Sequence, residues 1–125
     1  MEILIPISLG ELYDKISILL IKKERISDPV KLENIQKELD LLQDIAEKYD
    51  IDGEFHTALL EVNSRLWNVE DKLRENERIK LFDDTFINLA RNVYQLNDKR
   101  SEIKKQINLK YESAIVEEKS YAKYE

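Results

Sequence analysis

The stretch Leu32-Glu33-Asn34-Ile35-Gln36-Lys37-Glu38-Leu39-Asp40-Leu41-Leu42-Gln43-Asp44-Ile45-Ala46-Glu47-Lys48-Tyr49 decides the fold. Leu32, Ile35, Leu39, Leu42, Ala46 and Tyr49 recur at alternating steps of three and four, which lines them along one face of an α-helix. Glu33, Lys37, Asp40, Asp44 and Lys48 fall elsewhere on the helix and read as a solvated face. Asp28-Pro29 just upstream supplies an N-cap acid and a proline at the first helical position. A helix over 29–49 follows.

The same pattern extends in both directions. Ser8-Leu9-Gly10-Glu11 is a capping box, with Ser8 and Glu11 placed to satisfy each other's backbone N–H groups. It opens a helix over 9–27, seamed by Leu9, Leu12, Ile16, Leu19 and Ile26. Asp50-Ile51-Asp52-Gly53 is a break, and a helix over 54–79 carries Phe55, Leu59, Val62, Leu66, Val69 and Leu73. Leu81-Phe82-Asp83-Asp84-Thr85 is a second break before a helix over 85–110, with Phe86, Leu89, Val93, Leu96, Ile103 and Ile107 facing inward. Residues 2–7 read as a short extended segment, and 111–125 as a charged tail expected to fray. The fold class is all-α: one domain over 1–125, an antiparallel bundle of four long helices with coiled-coil-like packing and an extended arm over 1–8.

Composition agrees. Of 125 residues 42% are hydrophobic and 37% charged, with two Gly and two Pro, a balance that favours long helices over loops. The net charge of −6 makes generic binding of nucleic acid an unfavourable reading, because phosphate neutralisation needs an excess of cations. There is no cysteine, so disulfides, zinc–thiolate sites and cysteine nucleophiles are excluded. The opening Met1-Glu2-Ile3-Leu4-Ile5-Pro6 lacks the basic region and apolar run of a signal peptide, and no stretch is apolar enough for a membrane span. The expected address is the cytoplasm, of a cell or of an infected host.

Polar residues beside the apolar seams mark a candidate site. On the third helix Asn63, Trp67, Glu70, Arg74 and Glu77 form a stripe one position round from the seam. On the fourth, Ala90, Asn97, Arg100 and Lys104 lie at or beside the seam, with Arg91, Tyr94, Asp98 and Asn108 on adjoining lines. The first helix adds Glu11, Lys15, Lys22 and Arg25, and Lys23 interrupts its seam. Buried charges are costly unless paired or met by a ligand. The set therefore reads either as an internal ion-pair network that fixes helix register or as a cleft for an anion. The expected arrangement sets Glu70, Arg74 and Glu77 against Arg91, Tyr94 and Asp98, with Glu77 near Arg91, an anion held by Arg74 and Arg91, and Lys15 and Lys22 close by. Trp67 is expected to be largely buried, with a partner for its indole N–H.

Other signals are weak. His56 is the single histidine and reads as a surface or capping residue. Glu11/Asp14 and Glu47/Asp50 have the one-turn spacing that could ligate magnesium, a pattern common by chance in an acidic chain. Gly10 and Gly53 stand alone and cradle no phosphate.

Several stretches together resemble an uncharacterised family of small helical proteins of bacteria and marine phages. They are Ser8-Leu9-Gly10-Glu11-Leu12-Tyr13-Asp14-Lys15-Ile16, Leu66-Trp67-Asn68-Val69-Glu70-Asp71-Lys72-Leu73-Arg74, Phe86 to Asp98, and Glu117-Glu118-Lys119-Ser120-Tyr121. The family is a domain of unknown function, so the resemblance implies a helical fold and little about activity, beyond a hint of association with sugar-transferase proteins. This chain has Glu112-Ser113 where the family pattern has Gly-Ser.

Two functions follow as expectations. One is a non-catalytic helical binding or assembly module, a homodimer or the partner of another protein, without nucleic acid, membrane or cofactor. The other is a small enzyme or ligand-binding protein whose inter-helix cleft takes an anionic metabolite, nucleotide or sugar nucleotide, with magnesium possible. A Glu-x-x-Glu motif, which the all-α nucleotide pyrophosphatases place before Glu-x-x-Asp, is missing from this chain.

Overall fold

The computed structural model describes residues 1–124. Four α-helices account for the regular structure of the described residues: α1 (Leu9–Arg25), α2 (Pro29–Ala46), α3 (Gly53–Ile79) and α4 (Asp84–Lys110). The sequence boundaries agree to within a few residues, because the caps are chemical. The Ser8 side chain accepts from the Glu11 N–H, Asp28 from Val30 and Lys31, and Asp83 from Phe86. The reciprocal half of the Ser8–Glu11 capping box is not made, because the Glu11 carboxylate turns to Lys104 and Lys15.

The helices do not form four equivalent walls. α1 is central and touches all three others, α3 and α4 pack along each other, and α2 packs on α1 alone. The expected antiparallel contact between α2 and α3 is thus absent. The reason lies in α2, where only Ile35 and Leu39 are buried, a single narrow stripe that α1 already covers. α1 runs parallel to α3 and antiparallel to α4. Asp14 and Arg25 meet Asn63 and Asn68 in order along α3, while Gly10 and Asp14 meet Asn108 and Arg100 in descending order along α4.

The main core gathers Leu12, Tyr13, Ile16, Leu19, Ile35, Leu39, Ile51, Leu59 and Ile107, so it sits around α1. A smaller cluster of Val62, Leu66 and Leu96 lies between α3 and α4. Helix length then matters. α1 has 17 residues and spans roughly 25 Å, whereas α3 and α4 have 27 each and span roughly 40 Å. The α3–α4 hairpin therefore outruns α1, and from Trp67 to Gln95 no residue is fully buried.

Residues 1–7 carry no regular secondary structure, and Ile3, Leu4 and Ile5 are exposed; the tail departs from the expected picture. The tail is held against α4: Glu117 pairs with Lys104, Glu118 with Lys105, and the rings of Tyr124 and Tyr94 meet edge to face.

Candidate functional site

The polar centre of the molecule is Asp14, whose side chain is completely buried on α1. Arg100 on α4 grips it with two prongs, Nε to Oδ1 at 2.9 Å and Nη2 to Oδ2 at 2.5 Å. Asn63 on α3 donates its amide to Oδ1 at 2.9 Å and to Ser17 Oγ at 2.8 Å, and Ser17 donates to the Asp14 carbonyl. Lys104, also buried, reaches Glu11 at 2.6 Å and lies 3.7 Å from Asp14 and 3.6 Å from Glu117. One turn further, the Gly10 N–H donates to the buried Asn108 at 2.7 Å.

These groups saturate one another. Among the described residues no buried side-chain nitrogen or oxygen lacks a hydrogen-bond partner. Burial by itself pushes the Asp14 carboxyl up. The hydrogen bonds from Arg100 and Asn63, with the charges of Arg100 and Lys104, outweigh burial and hold it below its ordinary value. A carboxylate so paired stays ionised at neutral pH and has no proton to give. The cluster ties α1, α3 and α4 into one register. Glu11 and Asp14, the candidate magnesium pair, each spend their charge on a cation of α4.

Beside the cluster, on the α3 side, a shallow groove of about 480 Å³ opens. Its apolar wall is Ile18, Ile21, Leu66 and Trp67, and its polar wall includes Asn63, Glu70, Arg74, Asn97 and Arg100. Six of the expected site residues thus meet: Asn63, Trp67, Glu70, Arg74, Asn97 and Arg100. Trp67 is only partly buried, contrary to expectation, because it forms one wall of this open groove opposite Ile18 and Ile21 of α1, and its indole N–H finds no acceptor among the described residues. Arg74 is exposed and makes no ion pair with them either.

The other expected residues lie apart. Glu77 pairs with Lys80, its neighbour on the same helix, and not with Arg91. Arg91, Tyr94 and Asp98 do not face Glu70, Arg74 and Glu77. At about 100° per residue they lie from about a third of a turn (Tyr94) to about half a turn (Arg91) round from the α3-facing seam of α4, and the tail meets two of them, with Tyr124 donating to Asp98 at 2.6 Å and its ring edge-on to Tyr94. An anion shared by Arg74 and Arg91 is not the arrangement found. Lys15 is exposed and pairs with Glu11, Arg25 donates to Asn68, and Lys22 is partly buried and unpaired among the described residues. His56, read as a surface or capping residue, is partly buried with its ring edge-on to Tyr13 at 4.9 Å.

Asp14, Lys104 and Asn108 carry the centre of the structure, and of these the sequence marks Lys104 and Asn108 as lying beside the α4 seam or on an adjoining line. Asp14 was visible as half of a Glu-x-x-Asp spacing. A better signal is its place on the line Gly10, Asp14, Ser17 and Ile21, spaced four, three and four, which runs opposite the apolar seam as a second buried face of α1 where an unpaired acid would be costly.

The fold and its saturated polar centre define a small all-α domain in which charged side chains have a structural part. The chain belongs to the family of unknown function DUF6165, whose family model matches residues 3–124. Comparison with curated proteins and with solved structures finds no match.

Proposed function

We propose that this protein is a non-catalytic helical assembly module whose docking element is the free half of the α3–α4 hairpin. The observation that carries this reading is the mismatch in helix length. Arg25, the last residue of α1, bonds Asn68 on α3, and from Trp67 to Gln95 no residue of the hairpin is fully buried. Val69, Leu73, Phe86, Leu89 and Val93 between them are only partly buried, and Ile79, Leu81, Phe82 and Ile87 are about half exposed. A pair of helices can cover only one face of each, so such a hairpin gains stability from a third surface. Saturation of the Asp14 cluster points the same way, since it offers no unpaired acid or base for chemistry. Sedimentation velocity over a wide concentration range tests the reading. Self-association is expected, and it is expected to vanish when Phe82 and Ile87 are both changed to Glu. A monomer at every concentration overturns it.

A second reading has one observation in its favour. Trp67 and Arg74 line a groove with Asn97 and Arg100, and neither the indole N–H nor the Arg74 guanidinium is engaged within the chain. A planar or apolar-bodied anion could lie on Trp67 and pair with Arg74. Thermal-shift screening of nucleotides, sugar nucleotides and dicarboxylates, with and without magnesium, tests it, because a ligand of the native state raises its stability.

A further inference from the structure

Resting on the assembly reading, we infer that the partner of the hairpin is a second copy of this chain, packed antiparallel along α4 about a two-fold axis near Ile87. α4 carries two stripes. One, through Phe86, Leu89, Val93 and Leu96, faces α3. The other runs through Asp84, Ile87, Arg91 and Tyr94 at steps of three, four and three, and all four residues are exposed. Ala90, also exposed, lies between Ile87 and Tyr94 on the same side and leaves room for a close helix–helix approach.

The second stripe is complementary to itself. It has an acid at one end, an apolar centre and a base one turn beyond the centre. Inverted by a two-fold axis near Ile87, it sets Asp84 of each copy opposite Arg91 of the other. The two Ile87 side chains meet near the axis, and Leu81 comes level with the second copy's Tyr94. A two-fold interface makes every such contact twice, so one favourable acid–base pair counts double. Within the chain neither Asp84 nor Arg91 has an ion partner among the described residues, whereas Arg78 pairs with Glu75 and Lys80 with Glu77. Ile87, 52% exposed at the centre, has no other cover.

The chain has no cysteine, so one introduced thiol reports one position. Ile87→Cys is expected to cross-link into a dimer under mild oxidation, while Lys37→Cys on exposed α2 stays monomeric on denaturing gels. Arg91→Asp sets acid against acid and is expected to weaken dimerisation by about tenfold or more in sedimentation equilibrium. The combined Asp84→Arg, Arg91→Asp chain restores the pairing in reverse and is expected to return to within about threefold of the parent. Asp84→Arg also removes a first-turn acid from α4, so helical circular dichroism and unfolding midpoints are followed in parallel. A dimer that ignores the charge changes, or that cross-links no better at position 87 than at 37, overturns this register and leaves the assembly reading standing. A chain that never dimerises overturns both.

Discussion

The N–H of Gly10 donates to Oδ1 of Asn108 across 2.7 Å, in a contact so close that a Cβ on Gly10 would stand 2.5 Å from the Lys104 carbonyl oxygen. α1 and α4 touch here backbone to backbone. Gly10 is needed for this approach and not for its dihedral angles, since no glycine of the described chain has a positive φ. Gly10→Ala is expected to push the helices apart and lower stability by about 1 to 3 kcal/mol, the range for overpacking a tight contact. Urea unfolding measures this, and an unchanged midpoint would show that the helices yield freely.

The Asp14–Arg100 pair gives a second expectation, through double substitution. Arg100→Met strands Asp14 with Lys104 and Asn63 as its remaining partners, and is expected to cost about 3 to 5 kcal/mol. Adding Asp14→Leu removes the buried charge and is expected to recover a large part of the loss. If the double variant is as unstable as the sum of the two single ones, the residues are not coupled.

Acid sensitivity follows from the same carboxylate. Its pKa in the folded chain lies below the ordinary value, so ionised Asp14 favours the folded state. That contribution is complete above the unfolded pKa of about 4 and is lost as pH falls through the lower folded value. Stability is therefore expected to be level in this respect near neutrality and to fall below about pH 4. The Asp14→Leu, Arg100→Met chain should show a shallower acid fall in chemical-denaturation experiments run at stepped pH.

Glu112 has a φ of 51°, in the left-handed region, where it ends α4. The Ser113 N–H bonds to the Asn108 carbonyl at 2.8 Å and the Glu112 N–H bonds to Leu109, the paired closure that glycine serves best. Glu112→Gly removes the Cβ strain and is expected to raise stability by about 1 kcal/mol, read as a higher unfolding midpoint. An exposed control, Glu118→Gly, should give no such gain.

In the groove, Arg74→Met separates the two readings of the polar stripe. Arg74 is exposed and has no ion partner among the described residues, so its loss is expected to change stability by less than about 0.5 kcal/mol. Any anion that raises the melting temperature of the parent chain should fail to do so here. A large loss of stability would instead assign Arg74 a structural part.

Much of this fold is legible in the sequence because its signals are local. The caps Ser8, Asp28 and Asp83, with Pro29, start helices by contacts within one turn, and the spacing of Leu32 to Tyr49 marks a face whatever that face meets. Helix number, helix ends and the family resemblance come from such signals alone. The partners of those faces are not local. Nothing along the chain says that α2 stops at α1, that Trp67 is left on an open groove, or that Glu77 pairs with Lys80 and not with Arg91. Those follow from helix lengths and packing angles acting together over the whole molecule. The same holds for Asp14, which stands in sequence between Tyr13 and Lys15, three residues after Glu11. Only the tertiary structure brings it within reach of Arg100 and Asn63, residues 86 and 49 positions away, because ionic pairing of a buried charge needs side chains from separate helices converging at one point.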